Sequence, residues 1–180
     1  IDKIFPIFMI ITITGLPGSG KTSVAKELAK HLHLKHYSMG DIFRAIAKKR
    51  KISVLALTKK GGLADYLDRE QQRIAKKNKD CIIDSRLGAY LIKNSNVRIY
   101  IYATLKTRVT RIAKRDKMSY KKALHETLSR EREELNHYRK EYNIDYRDKK
   151  LYNVILDTEG LTVEETTIKI IAKIKKLKFN

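Results

Sequence analysis

Gly15-Leu16-Pro17-Gly18-Ser19-Gly20-Lys21-Thr22 fits the spacing G-x-x-x-x-G-K-[ST], and the reading of this octapeptide decides the fold. The residue types follow from the task of gripping a chain of phosphates. Glycines let the backbone turn so that successive N–H groups point inward at phosphate oxygens. A helix beginning at the end of the loop offers its positive end to the same anion. Lys21 reaches the outer phosphates as a point charge, the Thr22 hydroxyl is placed to ligate Mg²⁺, and Ser23 follows on the same turn. The loop as a whole, Gly15, Leu16, Pro17, Gly18, Ser19, Gly20, Lys21, Thr22 and Ser23, is the expected nucleotide seat.

The flanks agree with that context. Upstream, Met9 to Thr14 is an apolar, β-branched run that predicts a buried strand. Downstream, Val24, Ala25, Leu28, Ala29 and Leu32 recur at helical spacing. Further strands are expected at Leu34 to Ser38, Cys81 to Asp84, Val97 to Ala103 and Val154 to Leu156. Between them lie helical patterns at Asp41 to Lys49, Leu63 to Lys77 and Thr107 to Arg115. Ser53 caps a short helix that stops at Gly61-Gly62, and Ser119 caps a long one running to about Tyr142. Thr162-Val163-Glu164-Glu165 is a capping box opening the last helix. Five short strands alternating with helices imply an α/β fold, a parallel sheet covered on both faces. The stretches 40–78 and 116–142 are too polar to serve only as sheet-packing helices, which makes them candidates for flaps over a site.

The 180 residues suit one domain, and no chain of this length needs disulfides to bury a core. A single cysteine, Cys81, excludes an intramolecular disulfide and any cysteine-based metal cluster, and fits a reducing compartment. The longest apolar stretch, Ile4 to Ile13, is interrupted by Pro6 and Thr12 and is too short to span a bilayer. A cytoplasmic protein is expected, with residues 1–8 as an extension ahead of Met9. Forty Lys and Arg against twenty Asp and Glu give a net charge of +20, which calls for anionic partners and says nothing of fold.

The loop alone does not say what becomes of the nucleotide, since kinases, ATPases and GTPases share it. A GTPase reads guanine with an acid after a strand. Here Thr104-Leu105-Lys106-Thr107 follows the strand at Val97 to Ala103 and contains none. Asp84, ending an apolar strand, is placed to hold the metal with Thr22. At Ser38-Met39-Gly40-Asp41-Ile42-Phe43-Arg44 a strand end, a glycine and a helix start recur, a candidate second anion site, with Arg44 read either as its fork or as a solvated helix arginine. Arg108, Arg111 and Arg115 fall on one helical stripe, with Arg111 expected on the donor side, and Arg132 and Arg139 share a face of the next helix. Gathering two phosphorylated ligands in one cleft demands such cations. The five histidines, His31, His33, His36, His125 and His137, are scattered and none is assigned chemistry.

The phosphate loop with the Ser38 to Arg44 segment resembles the nucleoside monophosphate kinases, a branch of the P-loop NTPases. Ile83-Asp84-Ser85-Arg86-Leu87 sets its arginine two residues after the acid, as in the cytidylate kinases, where adenylate kinases have Asp-Gly-Phe-Pro-Arg. Tyr142-Asn143-Ile144-Asp145 after the long helix resembles the archaeal-type cytidylate kinases, and the likeness runs from Met9 to about Lys175. The resemblance implies a three-layer α/β/α fold with a core at 9–39, 79–115 and 143–180, helices binding the monophosphate at 40–78 and a lid at 116–142. It implies phosphoryl transfer from ATP with Mg²⁺ to CMP, with dCMP also used, by a monomer. Ser38, Asp41, Arg44 and Arg86 would hold the acceptor, and Lys21, Arg86, Arg132 and Arg139, with Asn136 between the last two, would serve the transfer. Three positions depart from the family pattern: Ser85 replaces a glycine, and Leu87 and Asn136 stand where bacterial members carry acids that touch the sugar. For the base, an acceptor beside a donor is needed, and Asp65, Asp68, Arg69 and Gln72 on one polar helix offer both. Adenylate, uridylate or shikimate kinases are the alternatives on the same scaffold. A nucleic-acid-dependent one, an ATP-driven RNA or ribosome-assembly factor, rests on the charge and on the basic runs Lys48-Lys49-Arg50-Lys51 and Lys173 to Lys178.

Overall fold

The computed structural model describes residues 8–59 and 63–179. Five parallel strands form one sheet in the order β2-β3-β1-β4-β5: β1 is Ile10–Thr14, β2 Lys35–Ser38, β3 Cys81–Asp84, β4 Val97–Tyr102 and β5 Val154–Asp157. The central strand β1 is buried at all five residues, as an apolar run with both faces covered requires. Period two sorts its side chains. Ile11 and Ile13 face a cluster with Val24, Ala25, Leu28, Ile170 and Ile174, contributed by helices α1 (Lys21–Leu32) and α8 (Val163–Ile174). Ile10 faces the other layer with Met39, Ile74, Ala75 and Ile92. Met39 begins α2 (Met39–Lys49), and Ile74 and Ala75 belong to α4 (Leu63–Lys77). Ile13 is fully buried, so truncating it to Ala would cost about 2–5 kcal/mol.

The short α3 (Val54–Lys59) starts where Ser53 Oγ accepts from the Ala56 amide, as its capping role predicts. Its expected stop at Gly61-Gly62 lies outside the described residues, as do residues 1–7 of the expected extension. Two pieces were not expected: the four-residue helix α5 (Gly88–Leu91) under β1, and a single 3₁₀ turn at Lys149–Leu151. Gly88 fits there because a Cβ would come within 2.7 Å of Ser85 Oγ and 3.2 Å of Thr12. The polar stretches form α6 (Leu105–Asp116) and the 23-residue α7 (Tyr120–Tyr142), which meet over a small core of their own, Val109, Ile112 and Ala123. No described helix is long and apolar enough to cross a membrane.

This topology positions the site. The chain leaves β1 to make β2, then returns to insert β3 between them, and later passes to the other side of β1 for β4. Strand order therefore reverses at β1, and in open parallel sheets ligands sit at the carboxyl ends beside such a reversal. Those ends carry the phosphate loop after β1, Ser38 ending β2 and Asp84 ending β3. The register pairs Ser38 with Asp84 and Ile13 with Asp84, so all three loops converge on that acid.

Candidate active site

A cavity of about 920 Å³ opens at these strand ends. Its floor is the phosphate loop. Gly18 and Gly20 have φ of 80° and 90°, in the left-handed region that glycine alone adopts without strain. Gly15 is required by packing, since a Cβ would lie 2.3 Å from the Ile101 carbonyl oxygen. α1 begins at Gly20 with no side chain capping it, so its first amides stay free for an anion.

Asp84 is the hub. It is fully buried, and its Oδ2 accepts from Thr22 Oγ1 at 2.5 Å and from Ser38 Oγ at 3.0 Å. Its Oδ1 has no hydrogen-bond partner among the described residues but lies 3.4 Å from Lys21 Nζ. Burial pulls the Lys21 ammonium down to about 8, against the pull of Asp84 beside it. Ser38 Oγ also accepts from the Asp41 amide at 3.2 Å, capping α2, and Arg44 donates to Asp41 at 2.5 Å. Partial burial would raise the Asp41 carboxyl, yet the bond and charge of Arg44, with the Lys26 charge nearby, together hold it below the usual carboxylate range. Glycine at position 40 leaves room for that guanidinium, which would lie 3.3 Å from a Cβ.

Arg86 is largely buried and held by two partners. It donates to the Gly15 carbonyl at 2.8 Å and to Glu134 Oε2 of α7 at 2.9 Å. Arg130 donates to the other Glu134 oxygen at 2.8 Å. Burial would raise the Glu134 carboxyl, yet the two guanidinium groups hold it at about 2. Arg108 is also buried. It donates to the carbonyls of Pro17 and Ala103 and pairs with Glu131 of α7, so it fixes the loop rather than facing a ligand. Arg111 donates to the Ser19 carbonyl at 3.4 Å and to Thr158 at 3.1 Å, on the wall where the loop meets Leu161 and Val163. Arg115 lines the cavity while forking onto Asp116.

The fold thus brings Lys21, Thr22, Ser23, Asp41, Arg44, Arg86 and Arg111 around one space, with Asp84 and Ser38 buried and both Thr22 and Ser38 hydrogen-bonded to Asp84. It does not bring all expected residues there. Arg132 and Arg139 are exposed on α7 and do not line the cavity, Arg139 pairing with Asp145, whereas Asn136 between them does line it. Arg130 takes the place expected of them. The stripe Ala123, Thr127, Arg130, Glu134, His137, spaced four, three, four, three, is the inner face, and position 132 falls opposite it. Asp65 and Arg69 are exposed beside a separate shallow recess, with Arg69 donating to the Asp65 carbonyl rather than to its carboxylate. The inner face of α4 is Leu67, Asp68 and Gln71. Glu134, Gln71, His137 and Thr158 were not singled out from sequence. The four–three stripe, and the Arg130–Glu134 spacing of four within it, was the available signal.

Residues 10–160 match the model of the cytidylate kinase-like family. Among curated proteins, the cytidylate kinase of Sulfurisphaera tokodaii is 39% identical over 87% of this chain and 90% of its own length. That of Natronomonas pharaonis is 40% identical over 86% and 83%, and that of Pyrococcus abyssi 35% identical over 87% and 88%. Among solved structures, the shikimate kinase of Acinetobacter baumannii in complex with shikimate superposes with a TM-score of 0.62 at 18% identity, covering 98% of this chain and 99% of its own, a likeness of fold alone. An uncharacterized protein from Eubacterium ventriosum gives 0.69 at 20% identity, covering 94% and 99%. With that match spanning the phosphate loop, the Asp84 hub and both polar helical stretches, the chain belongs to the cytidylate kinase-like family.

Proposed function

We propose that the protein transfers the terminal phosphoryl group of ATP to CMP, giving ADP and CDP, and also accepts dCMP. The observation that carries this is Asp84: one buried carboxylate ties Lys21 and Thr22 of the donor loop to Ser38 of the acceptor segment, so two phosphate sites open on one cavity. A plain ATPase has no need of the second. The loop amides and Lys21 bind the triphosphate, and Arg111 with Thr158 walls its nucleoside end. Ser38, Arg44 and Arg86 hold the CMP phosphate. The attacking atom is an already ionised phosphate oxygen, so no general base is required, consistent with a cavity without a histidine–carboxylate hydrogen bond among the described residues. Rate comes from alignment, from charge neutralisation by Lys21, Arg86 and Arg130, and from exclusion of water.

The residues present fit Mg²⁺. Thr22 Oγ1 and Asp84 are hard oxygen donors 2.5 Å apart, and Asp84 Oδ1 is buried with no hydrogen bond. Thr22 and Asp84, the latter directly or through water, would hold it. When bound it neutralises charge on the outer phosphates. In this reading 40–78 is the acceptor-binding insertion and 116–142 the lid over a core of 9–39, 79–115 and 143–180. The enzyme works as a monomer in the cytoplasm. Initial rates with ATP, Mg²⁺ and each of CMP, dCMP, UMP, AMP, GMP and shikimate test it. CMP should be fastest with dCMP next. Preference for shikimate or AMP, or no monophosphate turnover at all, overturns it.

A further inference from the structure

The acceptor end of the cavity is basic near the phosphates and changes character along α4. Asp68 is 7% exposed there. Its Oδ2 accepts from Tyr142 Oη of α7 at 2.7 Å and its Oδ1 from Gln71 Nε2 at 3.0 Å. Gln71 Oε1 in turn accepts from Ser85 Oγ at 2.6 Å. A continuous polar chain thus runs from Ser85, adjacent to the Asp84 hub, outward to Asp68. His137 lines the same cavity, and its Nε2 is buried with no partner among the described residues. A carboxylate offers about four lone-pair sites, and Asp68 uses two. So an acceptor with spare capacity and an unpaired ring nitrogen line the same cavity.

That pair matches one edge of one base. Cytosine presents a 4-amino donor beside N3, an acceptor. Uracil presents O4, an acceptor, beside an N3–H donor. We propose that Asp68, held in place by Tyr142 and Gln71, accepts a hydrogen bond from the 4-amino group of the acceptor base while His137 Nε2–H donates to N3, and that this carboxylate makes the enzyme prefer cytosine over uracil nucleotides. The proposal rests on the CMP kinase reading. With UMP, O4 would face the carboxylate oxygens and the 4-amino bond would be lost. Sites built around a substrate's N–H reject analogues lacking it far better than sites that sort by size, because their own polar groups are left unpaired.

The test compares kcat/KM for CMP and UMP in the wild-type protein and in Asp68→Asn, which is isosteric and offers an amide donor to O4. The expected result is a fall of the CMP/UMP ratio of roughly ten- to hundredfold, the worth of one hydrogen bond to a charged group, with KM for ATP unchanged. An unchanged ratio, or an equal fall for both nucleotides, overturns the assignment. In parallel the unaltered enzyme is given the CMP analogue whose base is pyrimidin-2-one, which lacks the 4-amino group but keeps N3. Its kcat/KM should fall about tenfold or more below that of CMP, and use at the CMP rate overturns the assignment even where Asp68→Asn does not fold. His137→Ala should weaken CMP and this analogue alike while leaving ATP untouched. A wild-type enzyme with no CMP turnover defeats the underlying activity. CMP turnover with an unaltered preference in Asp68→Asn defeats only the base-reading step.

Discussion

The phosphate cradle and the shell of helices over it are built by different means. The cradle is made of backbone. Its glycines are fixed by a 2.3 Å approach at Gly15 and by positive φ at Gly18 and Gly20, and its one cation, Lys21, already faces a buried carboxylate. The shell is made of side chains reaching between helices. Arg44 leans on Asp41, Arg86 and Arg130 share Glu134, and Tyr142 leans on Asp68. A cradle of amides is preorganised and binds any polyphosphate. A shell of exchangeable ion pairs can hand its cations to a substrate and so decide which second ligand stays. Generality thus resides in the loop, selectivity and closure in the helices.

The sharpest way to break this contrast is at Glu134. Glu134→Ala leaves two buried guanidinium groups without their carboxylate and should cost about 3–5 kcal/mol in a denaturant melt. A loss below about 1 kcal/mol would mean the shell is not held by this network. The same network fixes an acid limb. The Glu134 carboxyl sits at about 2 when folded against 4.5 when free, so its stabilisation is complete above about pH 4.5 and is lost as pH falls toward 2. Next, Lys21→Ala should lower kcat by roughly a hundredfold or more, about 2.7 kcal/mol. Near-normal turnover would show that the amides suffice. Because burial sets Lys21 at about 8, kcat/KM for ATP should decline above about pH 8 as the free enzyme loses that charge. A smaller effect is expected at Arg44→Ala, where KM for CMP should rise roughly tenfold with KM for ATP little moved. An equal rise for both would erase the distinction between the two sites. Smallest of all, Arg132→Ala and Arg139→Ala should each change stability by less than about 1 kcal/mol and leave turnover near wild type, as exposed groups do.

How much was legible from sequence follows the same division. The strands, the loop, Asp84 at a strand end and the strand end–glycine–helix start at Ser38 to Arg44 are local patterns, each readable from its own stretch of chain. The shell was legible as polar helices but not as a set of inward residues. Arg132 and Arg139 look paired because they are seven apart, yet the stripe from Ala123 through Thr127, Arg130 and Glu134 turns them outward. Period alone identifies a face, and only the buried Ala123 and Thr127 say which face is inside. Arg108 was read with Arg111 and Arg115 as one functional stripe. Its guanidinium is consumed by the carbonyls of Pro17 and Ala103, a partnership that spans 91 residues in one case and that no local pattern announces. Asp65 and Arg69 lie on the solvent side of a helix whose inner side carries Asp68 and Gln71.

Thr22 and Ser38 lean on the same oxygen of Asp84, so both nucleotide seats are surveyed from a single benchmark. In-line displacement is more sensitive to the gap between attacking and leaving oxygens than to where the pair sits in the molecule. Flexing of the sheet that carries β3 along drags both seats together and leaves that gap untouched. In the proposed reading the separation is therefore insulated from breathing of the scaffold.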